Sequence, residues 1–154
     1  MFGITAPTGS HVPTLERAAR LASAGLVIEH GAGLYSTPLF ARLGCRVLCC
    51  ESQPEWREWA AWIYQGRAEL VGSFREIVPH IKGATLVFID GAAKERGGLL
   101  SACILAGVPL IVAHDTHERC FAEYGWVEEH FTAPGYTVTH DDFKRKFRTT
   151  LWQR

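Results

Sequence analysis

The chain has 154 residues, of which 47% are apolar and 21% are charged, and its 16 basic residues balance its 16 acidic residues. This size predicts one domain and leaves too little chain for a separate substrate-binding domain. The neutral balance argues against a protein built to bind nucleic acid or an anionic membrane surface.

The first residues and the cysteines predict a soluble, cytoplasmic protein. Residues 1–7 lack the basic start and the apolar centre of a signal peptide. The longest mostly apolar run, residues 99–113, is too short to span a bilayer. The five cysteines form an odd set without paired Cys-x-x-Cys spacing, which disfavours both a disulfide framework and a structural zinc site. We therefore expect no membrane partner.

Predicted helices and strands alternate along the chain. In order, the pattern predicts helix 14–23, strand 26–28, helix 37–43 with Thr37 as N-cap and Pro38 in the first position, strand 45–50 and helix 54–65. It continues with strand 69–72, helix 74–81, strand 85–89, helix 94–106, strand 108–113 and helix 118–126. Short apolar runs of this kind are typical of strands that are buried on both faces of a parallel sheet.

The last part of the chain has a different pattern. Residues 136–140 and 147–152 alternate apolar and polar side chains on either side of a charged turn, which predicts an antiparallel hairpin. The basic run 144–148 would form the exposed turn and edge of this hairpin, with an anionic-substrate contact as the alternative. We therefore predict an α/β fold, a Rossmann-like three-layer sandwich with a mostly parallel sheet closed by a C-terminal antiparallel hairpin.

A glycine-rich turn follows the first predicted strand. The sequence Glu29-His-Gly-Ala-Gly33 ends that strand, and Glu51 ends the next one, twenty residues after Gly31. In a Rossmann-type crevice, such glycines let the backbone approach a ligand, and the acid accepts hydrogen bonds from ribose hydroxyls. This spacing predicts a nucleoside site that contains Gly31, Gly33 and Glu51.

The details of the turn favour a cationic ligand over a dinucleotide. A dinucleotide site prefers a third glycine where this chain has Ser36. Glu29 would repel a pyrophosphate but suits a ligand with a positively charged amino group. A Rossmann protein that binds NAD or a nucleotide sugar is therefore the weaker interpretation.

The pattern acid-x-Gly-x-Gly at residues 29–33 resembles motif I of the class I S-adenosylmethionine-dependent methyltransferases. The later elements extend this resemblance over nearly the whole chain, so that residues 1–154 would form a single methyltransferase-like domain. The resemblance implies contacts with S-adenosylmethionine from its methionine part through the ribose to the adenine: Glu29, Gly31, Gly33 and Ser36, then Glu51, then Ser73 and Phe74. Trp56 could lie against the adenine face, although its helical stripe is more typical of a core residue.

Asp90 ends the fourth predicted strand in Leu-Val-Phe-Ile-Asp-Gly, which resembles motif IV of small-molecule O-methyltransferases. The chain lacks the Pro-Pro-aromatic motif of enzymes that methylate base amino groups and the Pro-Cys of cytosine-C5 enzymes. The resemblance therefore implies O-methylation of a small molecule or sugar hydroxyl, and it disfavours nucleic acid as a partner.

Asp115 raises the question of a metal ion. Catechol-type O-methyltransferases hold Mg²⁺ between two Asp residues that end strands four and five and a following Asn. Asp90 and Asp115 match the first two positions, while Thr116 replaces the Asn and is a poorer ligand. We therefore favour a site without a divalent metal, in which Asp90 lies beside the cationic amino group of the cofactor.

Methylation of a hydroxyl requires alignment of the reactants and a base. His114, next to Asp115, is the first candidate because histidine titrates in the useful range, and His11 is the second because segments before motif I cover the cofactor in related enzymes. The predicted catalytic residues are thus Asp90, His114, Asp115 and His11. The alternative is a non-catalytic S-adenosylmethionine- or nucleotide-binding domain that acts as a subunit of a larger assembly, and a homo-oligomer is also open.

Overall fold

The structure is a computed structural model that describes residues 10–143 and 147–154. This part of the chain contains seven strands and seven α-helices. In chain order they are α1 (Val12–Ala22), β1 (Leu26–His30), α2 (Ser36–Arg42), β2 (Arg46–Cys50), α3 (Pro54–Tyr64), β3 (Ala68–Val71), α4 (Phe74–Ile77), β4 (Ala84–Ile89), α5 (Ala93–Ala106), β5 (Leu110–His114), α6 (Phe121–Tyr124), α7 (Glu128–Phe131), β6 (Thr137–Phe143) and β7 (Phe147–Gln153). Two 3₁₀ segments, Val78–Gly83 and Glu118–Cys120, precede β4 and α6.

All seven strands belong to one sheet with the order β3-β2-β1-β4-β5-β7-β6. The first five strands pair in parallel, and β7 is antiparallel to both of its neighbours. The direction in which successive strands are added reverses between β1 and β4. Such a reversal leaves a crevice at the carboxyl ends of the strands, where ligands bind in open α/β sheets.

The core consists of two apolar layers, one on each face of the sheet. Neighbouring strand residues point to opposite faces, so Val27 packs with α1 and α2 whereas Ile28 packs in the layer that includes α5. Helices therefore cover both faces, which confirms the predicted three-layer sandwich and explains why the central strands are apolar throughout.

The C-terminal hairpin completes the sheet from within, because β7 lies between β5 and β6. Trp152 of β7 is fully buried, and its indole N–H donates to the backbone oxygen of His130 at 2.6 Å. Strand β6 forms the edge and exposes polar residues such as Asp142, which pairs with Arg148 at 2.8 Å. The predicted hairpin is confirmed, while residues 144–146 of the basic run lie outside the described residues.

Three predicted helices differ from the observed ones. Helix α2 begins at Ser36, and Thr37 is not its N-cap, because the Thr37 hydroxyl donates to the buried Glu29. The predicted helix 74–81 is the short α4 followed by a 3₁₀ segment that contains a proline. The predicted helix 118–126 is a 3₁₀ turn and α6, which ends where Gly125 adopts a φ of +67°.

The cysteines of the described residues form no disulfide bonds. All five cysteines are unpaired, and Cys120 is the one that is partly exposed. The longest helix, α5, has 14 residues. No helix in this part of the chain combines the length and the apolarity that crossing a bilayer requires.

Candidate functional site

A pocket lies at the carboxyl ends of the central strands, where the strand order reverses. We call it the switch-point pocket, and it is lined by the segments that follow β1, β2 and β4: Gly31, Ala32, Glu51, Ser52, Gln53, Trp56, Asp90, Gly91 and Ala92. Three residues that the sequence predicts as site residues, Gly31, Glu51 and Asp90, thus meet in one place. The crevice rule for parallel sheets accounts for their position.

The segments after β1 and β4 touch through two glycines. Gly31 has a φ of +92°, and a Cβ on it would lie 2.6 Å from the Cα atom of Gly91. A Cβ on Gly91 would in turn lie 2.7 Å from the imidazole ring of His30. Because no side chain fits at either position, backbone atoms form this wall of the pocket, and a ligand can approach them closely.

The Glu51 carboxylate organises the opposite wall of the pocket. One of its oxygens accepts the N–H of Ala32 at 2.9 Å, and the other accepts the N–H of Gln53 at 2.8 Å. The side chain is 8% exposed, so it is held in place yet open to a ligand. Carboxylate oxygens can accept further hydrogen bonds, which is the property that recognition of a ribose needs.

Glu29 lies in a buried network of hydroxyl groups. It is fully buried, and its carboxylate accepts hydrogen bonds from the hydroxyls of Ser36 at 2.6 Å, Thr37 at 3.0 Å and Tyr64 at 2.7 Å. Neither Glu29 nor Ser36 lines the switch-point pocket. The Glu29 carboxylate and the Ser36 hydroxyl therefore bind each other and fix the glycine-rich turn, and their contacts with a ligand stay predictions.

Burial of Glu29 gives a test of its structural role. Desolvation raises the pKa of Glu29 to about 7, although the hydroxyl donors oppose this change. Between pH 4.5 and 7 the folded protein then keeps a proton that the unfolded chain has lost, so the free energy of unfolding falls as pH rises through this window. Relative to Glu29→Gln, the wild type should lose up to about 3 kcal/mol over this range. Urea unfolding at several pH values measures the difference, and a difference independent of pH would contradict the assignment.

Four other residues that were predicted to contact the ligand have defined positions in the structure. Trp56 lines the pocket with a half-buried ring that contacts Trp59 edge to face. Ser73 caps α4 by accepting the N–H of Arg75, and Phe74 packs against the ring of His30. Gly33 donates its N–H to the Thr37 hydroxyl. The ligand contacts of Ser73, Phe74 and Gly33 stay predictions.

Next to the pocket, three side chains form what we call the imidazole cluster: His11, Asp90 and His114. The Nδ1 atom of His114 lies 3.4 Å from an Asp90 oxygen, and its Nε2 atom lies 2.8 Å from the Ser10 hydroxyl. The ring of His11 meets the ring of His114 edge to face at 4.9 Å. Both histidines are less than a tenth exposed, so the cluster is shielded from solvent on the side of α1.

The cluster polarises His114 as a proton acceptor. Burial alone would lower the pKa of His114, but the hydrogen bond to Asp90 and the negative charges of Asp90 and Asp115 outweigh it and raise the pKa. Burial alone would raise the pKa of Asp90, but the hydrogen bond and charge of His114, with the charge of Arg96, lower it. Burial lowers the pKa of His11 to about 4, which keeps that imidazole neutral.

Arg96 of α5 lies between the two carboxylates that a catechol-type metal site would use. Its guanidinium is 3.2 Å from Asp90 and 3.5 Å from Asp115, and it stacks over the Tyr124 ring at 4.2 Å. The hydroxyl of Thr116, in the third ligand position, is fully buried and bonded to Thr150 at 2.7 Å. Asp90, Asp115 and Thr116 therefore do not fit a Mg²⁺ ion shared by all three, because the Arg96 guanidinium lies between the two acids and the Thr116 hydroxyl is bonded to Thr150.

Two groups that organise this region, Arg96 and His30, occupy no defining position of a motif in the sequence. Arg96 also donates to the backbone oxygens of Asp90 and Gly91, and so ties the end of β4 to α5. His30 bonds Glu95 at 2.9 Å and accepts the N–H of Gly91. A basic residue in the first turn of a helix opposes the helix dipole, which is the one signal that could have marked Arg96 as paired with carboxylates.

The strand order and the terminal antiparallel hairpin give a fold that several solved methyltransferases share. No protein-family model matches the sequence, and no curated protein is significantly similar to it. Solved structures do match. The O-methyltransferase TomG of Streptomyces achromogenes, involved in tomaymycin synthesis and solved with S-adenosylmethionine, is 19% identical with a TM-score of 0.70, over 98% of this chain and 81% of TomG.

Two further structures show how widely this fold is used. An O-methyltransferase of Bacillus cereus, solved with S-adenosylhomocysteine, is 16% identical with a TM-score of 0.69, over 100% of this chain and 84% of its own. An RNA methyltransferase of Salinibacter ruber, also solved with S-adenosylhomocysteine, is 17% identical with a TM-score of 0.61, over 97% and 93%. At these sequence identities the comparison establishes the fold alone. The substrate that accepts the methyl group must be inferred from the site.

Proposed function

We propose that this chain is an S-adenosylmethionine-dependent methyltransferase that acts on a hydroxyl of a small molecule or sugar. The observation that carries the proposal is that the switch-point pocket and the imidazole cluster share Asp90. The pocket has the groups that a nucleoside needs, and the cluster has a base for a hydroxyl that must lose its proton. A donor and an acceptor bound there would meet at one carboxylate.

On the cofactor side, the chain offers a fitting set of contacts. The backbone at Gly31 and Gly91 would face the methionine part, Glu51 would accept hydrogen bonds from the ribose, and the half-buried ring of Trp56 would lie against the adenine. Asp90 would pair with the cationic amino group. When bound, S-adenosylmethionine supplies a methyl group on a positively charged sulfur.

On the acceptor side, His114 acts as the base. Its Nδ1–H faces Asp90, which leaves the Nε2 lone pair to accept a proton, and the Ser10 hydroxyl already lies 2.8 Å from that atom. An acceptor hydroxyl would take the place of the Ser10 hydroxyl and pass its proton to Nε2 during transfer. Asp90 holds the ring and stabilises the imidazolium that forms, while Arg96 keeps Asp90 and Asp115 in position.

A non-catalytic S-adenosylmethionine-binding subunit is the second candidate. The contact between the Ser10 hydroxyl and Nε2 of His114 favours it, because here the chain's own residues close the acceptor side. Binding of the cofactor without turnover on any acceptor would support this candidate. Methyl transfer to an added hydroxyl compound would exclude it.

The remaining proposals concern the surroundings of the protein. Five unpaired thiols suit a reducing compartment, which supports a cytoplasmic location. The zero net charge supports a small-molecule acceptor over a nucleic acid. A homo-oligomer stays a prediction, with the exposed Trp62 and Leu105 as candidate contacts.

Transfer of a labelled methyl group from S-adenosylmethionine to a panel of catechols, sugars and other hydroxyl compounds tests the function. We expect turnover of at least one acceptor. Because Arg96 pairs with Asp90 and Asp115, turnover should persist in EDTA and should not rise when Mg²⁺ is restored. If EDTA abolished turnover and Mg²⁺ restored it, that result would contradict the pairing of Arg96 with both acids. It would also contradict the role of His114 as the base.

Replacement of Glu51 by Ala tests the cofactor side. The change removes a charge-assisted hydrogen bond to the ribose and should weaken binding of S-adenosylhomocysteine by about 1.5–3 kcal/mol. Glu69→Ala, which removes an exposed carboxylate from β3, is the matched control and should bind as the wild type does. Calorimetry measures both variants, and equal affinities for Glu51→Ala and the wild type would contradict the ribose assignment.

A further inference from the structure

His11 has an unusual environment for a buried histidine. Its side chain is 3% exposed, and neither ring nitrogen has a hydrogen-bond partner among the described residues. Leaving buried polar atoms without hydrogen-bond partners is unfavourable. In the neutral imidazole of His11 one nitrogen carries a lone pair and the other an N–H, so beside Asp90 and His114 the lone pair can bind a ligand.

The three members of the imidazole cluster are close enough to share one small ligand. One potential ligand atom from each of His11, Asp90 and His114 lies within 4.8 Å of the others. Ligand atoms at 2.0–2.2 Å from a tetrahedral ion are roughly 3.4 Å apart. The His114 Nδ1 to Asp90 oxygen distance is 3.4 Å, so these two groups already have the required spacing. A small rotation of the His11 ring would complete the set.

The groups behind these ligand atoms are arranged as in metal sites. A histidine that binds a metal through one nitrogen donates its other N–H to an acceptor, and a carboxylate ligand is itself hydrogen-bonded. His114 has Ser10 at 2.8 Å on Nε2, and Asp90 has Arg96 at 3.2 Å. Asp90 is 23% exposed at the switch-point pocket, which gives an ion a route to the cluster.

We propose that His11, Asp90 and His114 form a binding site for a divalent transition-metal ion of the zinc type. Two imidazoles and one carboxylate suit Zn²⁺ or Co²⁺, whereas Mg²⁺ requires oxygen ligands. Three protein ligands leave the fourth position of a tetrahedral ion for a water molecule. This site differs from the catechol-type Mg²⁺ site considered above, because it uses neither Asp115 nor Thr116.

Metal binding would regulate the reaction at this cluster. A metal on Nδ1 of His114 requires the proton at Nε2, so His114 cannot bind the ion and act as the base at the same time. The ion would therefore inhibit methyl transfer. This consequence rests on the proposed function, whereas the existence of the site does not.

The test is Zn²⁺ binding to the full chain without cofactor or acceptor, measured by calorimetry, with Co²⁺ absorption as a second measurement. We expect one ion per chain, on the order of 100-fold weaker binding in His11→Ala and in Asp90→Asn, and no change in His80→Ala, which removes an exposed histidine. Co²⁺ should give d–d bands without thiolate charge transfer, and excess Mg²⁺ should not displace it.

The result that would overturn the site is the absence of stoichiometric Zn²⁺ binding in the wild type. Equal affinity in His11→Ala and the wild type, or thiolate bands with Co²⁺, would overturn it as well, because the ion would then bind elsewhere. Circular dichroism shows whether each variant is folded, and Zn²⁺ should raise the melting temperature of the wild type but not of His11→Ala. None of these results depends on methyl transfer, so failure of this site and failure of the proposed function are distinguishable.

Discussion

A chain that ends at Asp142 is expected to aggregate or to remain unfolded. It lacks β7, which lies inside the sheet between β5 and β6, so both neighbours would lose their pairing partner. Loss of a buried Trp such as Trp152 alone costs about 3–5 kcal/mol, and the whole domain is stabilised by about 5–15 kcal/mol. Solubility on expression and thermal unfolding by circular dichroism measure the effect.

A chain that lacks only Arg154 is the matched control for this truncation. Arg154 follows β7 and is exposed, so its removal should leave the sheet and the melting temperature nearly unchanged. If the chain that ends at Asp142 is as soluble and as heat-stable as this control, the hairpin does not complete the fold.

Replacement of His114 by Gln should reduce kcat for methyl transfer by about 10²–10⁴-fold, because it removes the base. Binding of S-adenosylhomocysteine should change little, since His114 does not line the switch-point pocket. Asp90→Asn should also lower kcat, as it removes the charge that holds the His114 ring. Single-turnover transfer from labelled cofactor separates these effects on chemistry from effects on binding.

His140→Gln is the control for this series. His140 is exposed on the edge strand β6 and bonds Thr150 outside the imidazole cluster, so its replacement should leave kcat near the wild-type value. Activity in His114→Gln equal to that of His140→Gln would contradict the role of His114. His11 would then be the remaining imidazole of the cluster.

The sequence predicted the sheet well because the sheet depends on local patterns. Apolar runs mark the buried strands, and the polar residues that end them, such as Glu51 and Asp90, reach the edge where the pocket forms. The alternation in residues 147–152 likewise predicted one strand of the terminal hairpin. These features follow from side-chain periodicity, which a single sequence displays directly.

The organisation of the site could not be predicted in the same way, because its contacts join residues that are distant in the sequence. Glu29 accepts a hydrogen bond from Tyr64 of α3, which no motif around residue 29 reveals. Arg96 of α5 reaches Asp115, which follows β5, and Ser10 reaches His114, which lies 104 residues further along the chain. A motif indicates which residue types meet at a crevice, but only the packing of the helices decides which of them face the ligand.

We expect the switch-point pocket to hold S-adenosylmethionine. Calorimetric titration of the wild-type chain with S-adenosylhomocysteine, with NAD as the competing ligand class, tests it most directly. The proposed function predicts saturable binding of S-adenosylhomocysteine with one site per chain and no measurable binding of NAD. Binding of NAD without binding of S-adenosylhomocysteine, or binding of neither ligand, would contradict it.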